Sequence, residues 1–311
     1  MIYDAHSHIG LDSFHPIAGS LAEFIERCLA FDITRANLMT VPSPEYWQGD
    51  TKINSVHWDF SSGKREYNRL ETRNGEVTKI PYPSNPYAES NKMLREQIRK
   101  ERSAVTLDFV PLLHPILDTD GHIEEVLAND PVAVKIHGIA CGISPEEVPA
   151  NVYGAIAESQ TPVVVHTDYW NSEIVSSPIQ ELNRINAPLR WLEQFEKYGI
   201  RSFITHGARL CSDSLSLINN SDNYLVGIAP DVLIESEPER LAQDKSYLAC
   251  LKESLHPSKL AFDIDYPWNT TECHATSLEW GFLDRAIKIY ADEQLTRDLL
   301  YRNASQFFDR I

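Results

Sequence analysis

The sequence predicts an α/β protein, a closed (β/α)8 TIM barrel formed by a single domain over residues 1–311. Two observations predict this fold: eight short, mostly apolar runs have the character of strands, and helical segments separate most of them. Strands that are apolar on both faces are typical of a parallel sheet covered by helices, and eight alternating units favour a closed barrel over an open sheet. No G-x-G-x-x-G and no P-loop occurs, which removes the commonest cofactor sites of an open sheet.

The predicted strands and helices are bounded by turn and capping residues. Strands are predicted at residues 2–8, 36–41, 107–113, 132–137, 161–166, 201–206, 224–229 and 260–265. Helices are predicted at 20–31, 91–102, 123–127, from 144 onward, at 188–198 and from about 292 to 301. Ser20 with Glu23, and Ser144 with Glu147, have the spacing of a capping box, and Gly199 follows a helix end.

Residues 43–90 interrupt the alternation with prolines, mixed charges and many aromatic residues. A connection of this length inside a compact domain is usually either functional or disordered, and the aromatic content argues against disorder. We therefore expect an insertion after the second strand that folds as a cap over the site.

Charge and composition exclude several classes of protein. The net charge of −17 is unsuited to binding nucleic acid, which requires a basic surface. No run approaches the ~20 apolar residues of a membrane helix, and no signal peptide is recognisable. The number of cysteines, five, is odd, and no C-x-x-C motif occurs in the sequence. Neither a disulfide framework nor a zinc ribbon is therefore expected. We expect a cytoplasmic protein with a small-molecule substrate, and the sequence leaves homo-oligomer formation open.

Polar residues stand where the predicted strands end, on the side where TIM barrels carry their active sites. They are His6 and His8, His137, His166, His206 and Asp265. Alternate residues of a strand share a face, so His6 and His8 can bind one ion together. Imidazole and carboxylate are ligands of Zn²⁺ and similar divalent ions, and a catalytic site keeps one position for water. The pattern predicts a metal site. His15, His57, His114 and His122 are interpreted as ordinary loop histidines.

Five strand-end motifs carry a family resemblance: Asp4-Ala-His-Ser-His8, Val134-Lys-Ile-His137, Val163-Val-Val-His-Thr167, Thr205-His-Gly207 and Phe262-Asp-Ile-Asp-Tyr-Pro267. Together they resemble those of the amidohydrolase superfamily, and most closely its amidohydrolase-related, or amidohydrolase 2, family of metal-dependent TIM-barrel hydrolases and decarboxylases. Residues 302–307 resemble the C-terminal N-A-x-x-x-F ending of that family.

The resemblance implies a divalent metal, with zinc the expected ion and manganese the alternative. It implies that His6, His8, His166 and Asp265 bind this metal. His206 would then lie beside the ion as an acid/base or as a further ligand, and Asp265 with His206 would move the proton in catalysis.

Two positions depart from the family pattern: Asp263 stands where a small residue is usual, and Asp168 where a glycine is usual. Lys135 lies one layer below His137. It could be carboxylated and bridge two metals, but a counter-charge for Asp4 and Asp263 is the preferred interpretation, because buried charges need partners. We therefore expect one ion per chain.

Four residues are expected at the substrate: Lys135, His137, Arg209 and Trp268. The function predicted first is an enzyme, a metal-dependent hydrolase of a small amide, ester or lactone. The alternatives are a non-oxidative decarboxylase of a small aromatic or enoic acid, and a metal-containing binding protein without turnover. A related nuclease is disfavoured by the charge and by the lack of a Glu on the fourth strand.

Overall fold

The computed structural model describes residues 1–12, 17–59, 65–82, 84–167, 183–184, 186–229, 248–267 and 288–309. The strands of this part are β1 (Ile2–Asp12), β2 (Ile17–Gly19), β3 (Ile33–Thr40), β4 (Pro44–Gln48), β5 (Thr51–Asp59), β6 (Glu66–Arg73), β7 (Glu76–Pro81), β8 (Thr106–Phe109), β9 (Leu112–Leu113), β10 (Val134–Ile136), β11 (Val163–Val165), β12 (Ser202–Ile204), β13 (Tyr224–Gly227) and β14 (Leu260–Ala261).

The helices cover one side of these strands or connect them. They are α1 (Leu21–Ala30), α2 (Ala88–Lys100), α3 (Asp120–Ala128), α4 (Ala150–Ser159), α5 (Pro188–Tyr198), α6 (Ser212–Asn219), α7 (Glu293–Arg297) and α8 (Asn303–Phe308), with a π-helical turn at Asp298–Arg302 between the last two. Short 3₁₀ turns occupy Pro145–Glu147, His206–Leu210 and Pro257–Lys259, and residues 248–254 are also helical.

The strands form two sheets. One contains six parallel strands in the order β14-β13-β12-β11-β10-β9. The other has the order β7-β6-β5-β4-β1-β3-β8, with β2 paired to β1. In this second sheet β1, β3 and β8 are parallel, whereas β4 to β7 form an antiparallel meander that extends from the end of β1.

Residues 106–113 hydrogen-bond to both sheets. The N–H of Val110 donates to the carbonyl of Leu38 in β3, and the N–H of Lys135 in β10 donates to the carbonyl of Pro111. Pro111 has no N–H to donate, which explains why this predicted third strand is divided into β8 and β9.

β1 also bonds to the segment that follows β14. Its residues Ala5, His6 and His8 exchange three backbone hydrogen bonds of 2.7 to 3.0 Å with residues 262–266. The carboxylate of Asp4 accepts a further bond from the N–H of Ile264 over 3.0 Å. The first strand is thus hydrogen-bonded to the segment that follows the last strand, β14.

Each of the eight predicted strands overlaps a strand of the structure, and α5 coincides with the predicted helix at 188–198. The prediction at Ser144 is only partly met. Ser144 and Glu147 do form a capping box, but it opens a single 3₁₀ turn, and α4 starts at Ala150. Pro149 accounts for this break, because the residue before a proline is disfavoured in helical conformation.

The core lies between the strands and the helices. The three valines of β11 are fully buried, and α5 buries Trp191 and Phe195 against them as part of one continuous cluster. None of the described helices is long and apolar enough to cross a membrane. Cys28, Cys141, Cys211 and Cys250 are free thiols.

Candidate active site

β1 places two histidines on one face, and a hydrogen bond fixes the orientation of the second. Nδ1 of His8 lies 2.8 Å from the carbonyl oxygen of Thr40. Because a carbonyl can only accept, Nδ1 of His8 carries the proton and Nε2 keeps its lone pair. That nitrogen lies 3.0 Å from Nε2 of His6. A metal-binding histidine usually donates one ring N–H to an acceptor such as a backbone carbonyl and binds the ion through the lone pair of its other nitrogen.

Asp265 completes a compact group of ligand atoms. Its N–H donates to the carbonyl of His6, and its backbone has a left-handed conformation with φ of 59°. The carboxylate oxygen Oδ1 lies 3.5 Å from Nδ1 of His6 and 3.6 Å from Nε2 of His8. One ligand atom from each of these three buried residues lies within 4.8 Å of the others.

The donor set fits a divalent metal on these observations. Ligands about 2.0–2.2 Å from a tetrahedral zinc stand roughly 3.3–3.6 Å from one another, which matches both carboxylate-to-imidazole distances. Nδ1 of His6 is buried and has no hydrogen-bond partner in the described part of the chain. A buried polar atom without a partner is costly, and a metal ion would satisfy it.

A second layer of charge lies beneath this group. Nζ of Lys135 lies 2.9 Å from Nε2 of His6, and Lys135 is fully buried. Burial lowers the pKa of Lys135 to about 7, while Asp265 and Asp263 act in the opposite direction. Asp263 accepts a 2.6 Å hydrogen bond from the N–H of Ala229, and burial raises the pKa of its carboxyl well above the usual range.

His206 lies on the other side of Asp265, with its Nε2 atom 3.8 Å from Oδ2. Its ring centroid is 5.8 Å from that of His6 and 4.9 Å from that of His166. His206 begins five consecutive residues with φ between 50° and 56°, up to Leu210. This conformation is strained for residues other than glycine, and such strain concentrates at functional sites.

His137 has the opposite hydrogen-bond arrangement to His8. The N–H of Ala140 donates to Nδ1 of His137 over 3.1 Å, so that nitrogen carries no proton. In the neutral ring the proton is then on Nε2, which acts as a donor rather than as a metal ligand. The ring stacks on His166 with a centroid distance of 3.8 Å and an interplanar angle of 15°.

Four histidines of this cluster are neutral near pH 7. Burial lowers the pKa of His6, His8, His137 and His166 well below the usual range, and the neighbouring Lys135 and imidazoles lower it further. Neutral imidazole is the form that binds metals, so the electrostatics of the cluster agree with the donor set.

The other residues predicted for the site are not part of the group formed by His6, His8 and Asp265. His166 stacks beside the cluster, and its Nε2 has no hydrogen-bond partner in the described chain, but it is not in the group of three. Arg209 donates from Nε to the carbonyl of Thr167 and from Nη1 to that of Asn183 over 2.9 Å. Trp268 and Asp168 lie outside the described residues. The substrate contacts of Arg209 and Trp268 stay predictions.

His114 was assigned to an ordinary loop, and the structure corrects this interpretation. It follows β9 directly, is fully buried, and accepts a hydrogen bond at Nδ1 from the N–H of Leu117. Tyr67 of β6 contacts it edge to face at 4.9 Å between ring centroids. His114 therefore ends the third strand as the other histidines end theirs, and the apolar run 107–113 was the signal that could have identified it.

Comparison with solved structures shows a shared fold at low identity. A probable 2-pyrone-4,6-dicarboxylic acid hydrolase from Acinetobacter baumannii, with citric acid bound, matches with a TM-score of 0.59 and 14% identity over 99% of both chains. An Agrobacterium tumefaciens protein in its apo form matches with a TM-score of 0.63 and 13% identity, over 100% of this chain and 96% of that one.

A third match is named amidohydrolase 2, from Bifidobacterium longum subsp. infantis. It has a TM-score of 0.54 and 9% identity, over 99% of this chain and 98% of that one. No protein-family model and no curated protein matches the sequence. Along nearly its whole length, the chain thus has the fold of structures that include an amidohydrolase 2 and a named hydrolase.

Proposed function

We propose that this chain is a metal-dependent hydrolase of a small-molecule amide, ester or lactone. The observation that carries the proposal is the convergence of His6, His8 and Asp265 within 4.8 Å, although about 260 residues separate the two segments that supply them. The shared fold with structures named hydrolase and amidohydrolase agrees with it.

We also propose that the two sheets close into one barrel. Residues 106–113 hydrogen-bond to both sheets, and β1 bonds to residues 262–266 beyond β14. These two sets of bonds support a closed (β/α)8 barrel in which eight parallel strands surround the histidines. In such a barrel the residues at the carboxyl ends of the strands share one mouth, where TIM-barrel active sites lie.

His6, His8 and Asp265 would hold the metal, and the resemblance adds His166. Zinc suits two or three imidazoles and a carboxylate, and manganese is the alternative. When bound, such an ion supplies a Lewis acid that polarises a carbonyl and lowers the pKa of water.

The side chains of the chain itself move the proton. Asp265 accepts a proton from the attacking water at a carboxylate oxygen. Its Oδ2 lies 3.8 Å from Nε2 of His206, close enough for His206 to steady the oxyanion or to pass a proton to the leaving group. Nε2–H of His137 is a fixed donor that can bind a substrate oxygen.

We further propose that β4 to β7 form a cap within a single domain. Trp58 of β5 donates from Nε1 to the carbonyl of Ile139 over 3.0 Å, two residues after His137. A Cβ at Gly142 would lie 2.9 Å from the Trp58 ring, so this glycine permits the close approach. Arg65 also pairs with Glu147 over 3.0 Å. These contacts support a position over the end of the fourth strand.

The test is hydrolysis of a panel of small amides, esters and lactones by protein freed of metal and then reloaded with zinc or manganese. We expect activity only after reloading. His8→Ala should abolish it, and His122→Ala, which removes a histidine of α3 away from the cluster, should retain it. Release of carbon dioxide from a carboxylic acid substrate, without hydrolysis, would favour the decarboxylase instead.

A further inference from the structure

A cavity of about 350 Å³ lies behind the first two parallel strands, away from the metal-binding group. Residues of a strand alternate between its faces, so Ile9 points to the side of β1 opposite to His8. Ile9 lines this cavity together with α2 residues, among them Met93 and Leu94. The volume is at the lower end of the range for small-molecule sites, and the walls are mainly apolar.

Thr40 supplies a polar group on the cavity wall. It pairs with Ile9 in the parallel register of β1 and β3, so its side chain lies on the same face as that of Ile9. Thr40 is 3% exposed, and its hydroxyl has no hydrogen-bond partner in the chain as described. A buried hydroxyl without a partner is unusual. It indicates that a ligand in the cavity would accept a hydrogen bond from this hydroxyl.

The start of α1 forms a second polar wall. Leu21 and Ala22 line the cavity, and as the first residues of a ten-residue helix their N–H groups have no acceptor within it. A helix start carries partial positive charge and favours anions. The one acidic residue of the lining, Glu45, is paired with Lys52 over 2.7 Å. The N–H groups of Leu21 and Ala22 and the Thr40 hydroxyl can therefore donate to a ligand without an unpaired carboxylate beside them.

We propose that this cavity binds a small monocarboxylate with an apolar chain. The carboxylate accepts hydrogen bonds from Leu21, Ala22 and the Thr40 hydroxyl, and the chain contacts Ile9 and the α2 residues. The site is separate from the proposed active site but adjoins it, because the carbonyl of Thr40 accepts the Nδ1–H bond of His8.

Calorimetric titration of the metal-loaded protein with octanoate and with octanamide tests the carboxylate. We expect about one octanoate per chain, and at least about tenfold weaker binding of octanamide, since hydrogen bonds to a charged group are stronger than neutral ones. Equal affinity for the amide would overturn the choice of a carboxylate, and no binding of octanoate at millimolar concentration would overturn the site.

Two variants locate the bound octanoate. Met93→Trp places a larger side chain in the cavity from a partly exposed helix position, and it should abolish binding. Thr40→Val keeps the shape without the hydroxyl and should weaken binding about tenfold, whereas Thr40→Ser should retain it. Metal content is measured for each variant. Unchanged octanoate binding by a folded Met93→Trp protein would show that the carboxylate binds elsewhere, including at the metal, and would refute the proposal.

Discussion

The N–H of Ala140 donates to Nδ1 of His137 and so determines which nitrogen of that ring carries the proton. His8, whose Nδ1 donates to the Thr40 carbonyl, has the opposite tautomer. Two histidines at the ends of different strands thus present different groups, a lone pair from His8 and an N–H from His137. In the proposed site, the tautomers would let His8 bind the metal and His137 bind a substrate oxygen.

His137→Phe should reduce activity without loss of metal. Phenylalanine keeps a ring to stack on His166 but has no donor, so we expect kcat/KM to fall about ten- to hundredfold, the usual cost of one hydrogen bond in a buried site. Steady-state kinetics and elemental analysis measure the two effects. His137→Gln, which keeps an N–H donor, is the matched variant and should recover part of the activity. Loss of metal from His137→Phe would show that His137 is a ligand.

Protein purified without added metal should contain about one divalent ion per chain. His6, His8 and Asp265 form one compact group, and Nζ of Lys135 lies 2.9 Å from Nε2 of His6. Inductively coupled plasma mass spectrometry gives the identity and number of ions. His8→Ala should lose the ion and His122→Ala should keep it. Two equivalents, with added mass on Lys135, would contradict a mononuclear site.

Asp265→Asn should lower kcat by about 10²–10⁴, the typical effect of losing a general base. Asparagine keeps the shape and one oxygen but loses the charge and the basicity. The matched control is Asp263→Asn, which can still accept the N–H of Ala229 and should affect stability more than turnover. Near-normal turnover of a metal-containing Asp265→Asn enzyme would move the base to another residue, with His206 the first to test.

The sequence predicted the positions of the candidate site residues well, because each of them follows an apolar run. His6, His8, His137, His166, His206 and Asp265 all stand at such positions, and alternation along β1 puts the first two on one face. It could not predict the tautomers, which depend on backbone groups of Thr40 and Ala140. Nor could it predict that Arg209 donates to the backbone carbonyls of Thr167 and Asn183, because both residues are distant from Arg209 in the sequence.

The sequence predicts an insertion at residues 43–90 but does not predict the strands β4 to β7 that the structure has there. Its residues are only half-buried, and β7 is almost wholly exposed, so the alternation of apolar and polar residues is weak. His114 was missed although it directly follows the predicted strand 107–113, the end of which is β9 in the structure.

Asp118→Asn should change the pH dependence of stability. Burial raises the pKa of Asp118 to about 7, above its value of 3.8 in the unfolded chain. Between these pH values the unfolded chain has lost the proton and the folded protein retains it, so this group lowers the free energy of unfolding as the pH rises. The asparagine variant lacks this effect. Relative to the parent protein, it should gain up to about 4 kcal/mol between pH 4 and pH 7.5.

Urea denaturation at several pH values measures this difference. His114, whose pKa burial lowers to about 3, contributes with the opposite sign, and because both proteins contain His114 its contribution cancels in the comparison. A difference that is constant with pH would show that Asp118 titrates normally in the folded protein.

Trp58→Ala should loosen the contact of the meander with residues 137–143. It removes the hydrogen bond to the Ile139 carbonyl and the ring contact with Gly142. Hydrogen exchange followed by mass spectrometry should show faster exchange confined to residues 51–59 and 137–143. Trp47→Ala, on the same meander but 66% exposed, is the control and should leave exchange unchanged. Equal effects of the two substitutions would argue against a specific contact of the cap.

The bonds between β1 and residues 262–266 have a consequence for the synthesis of the protein. His6 is synthesised before its partner Asp265, which is added about 260 residues later. At roughly 5–20 residues per second, that interval lasts about 13 to 50 seconds. During this time the nascent chain contains an H-x-H sequence without its carboxylate partner. Tight metal binding is therefore expected only after the segment with Asp265 has left the ribosome and paired with β1.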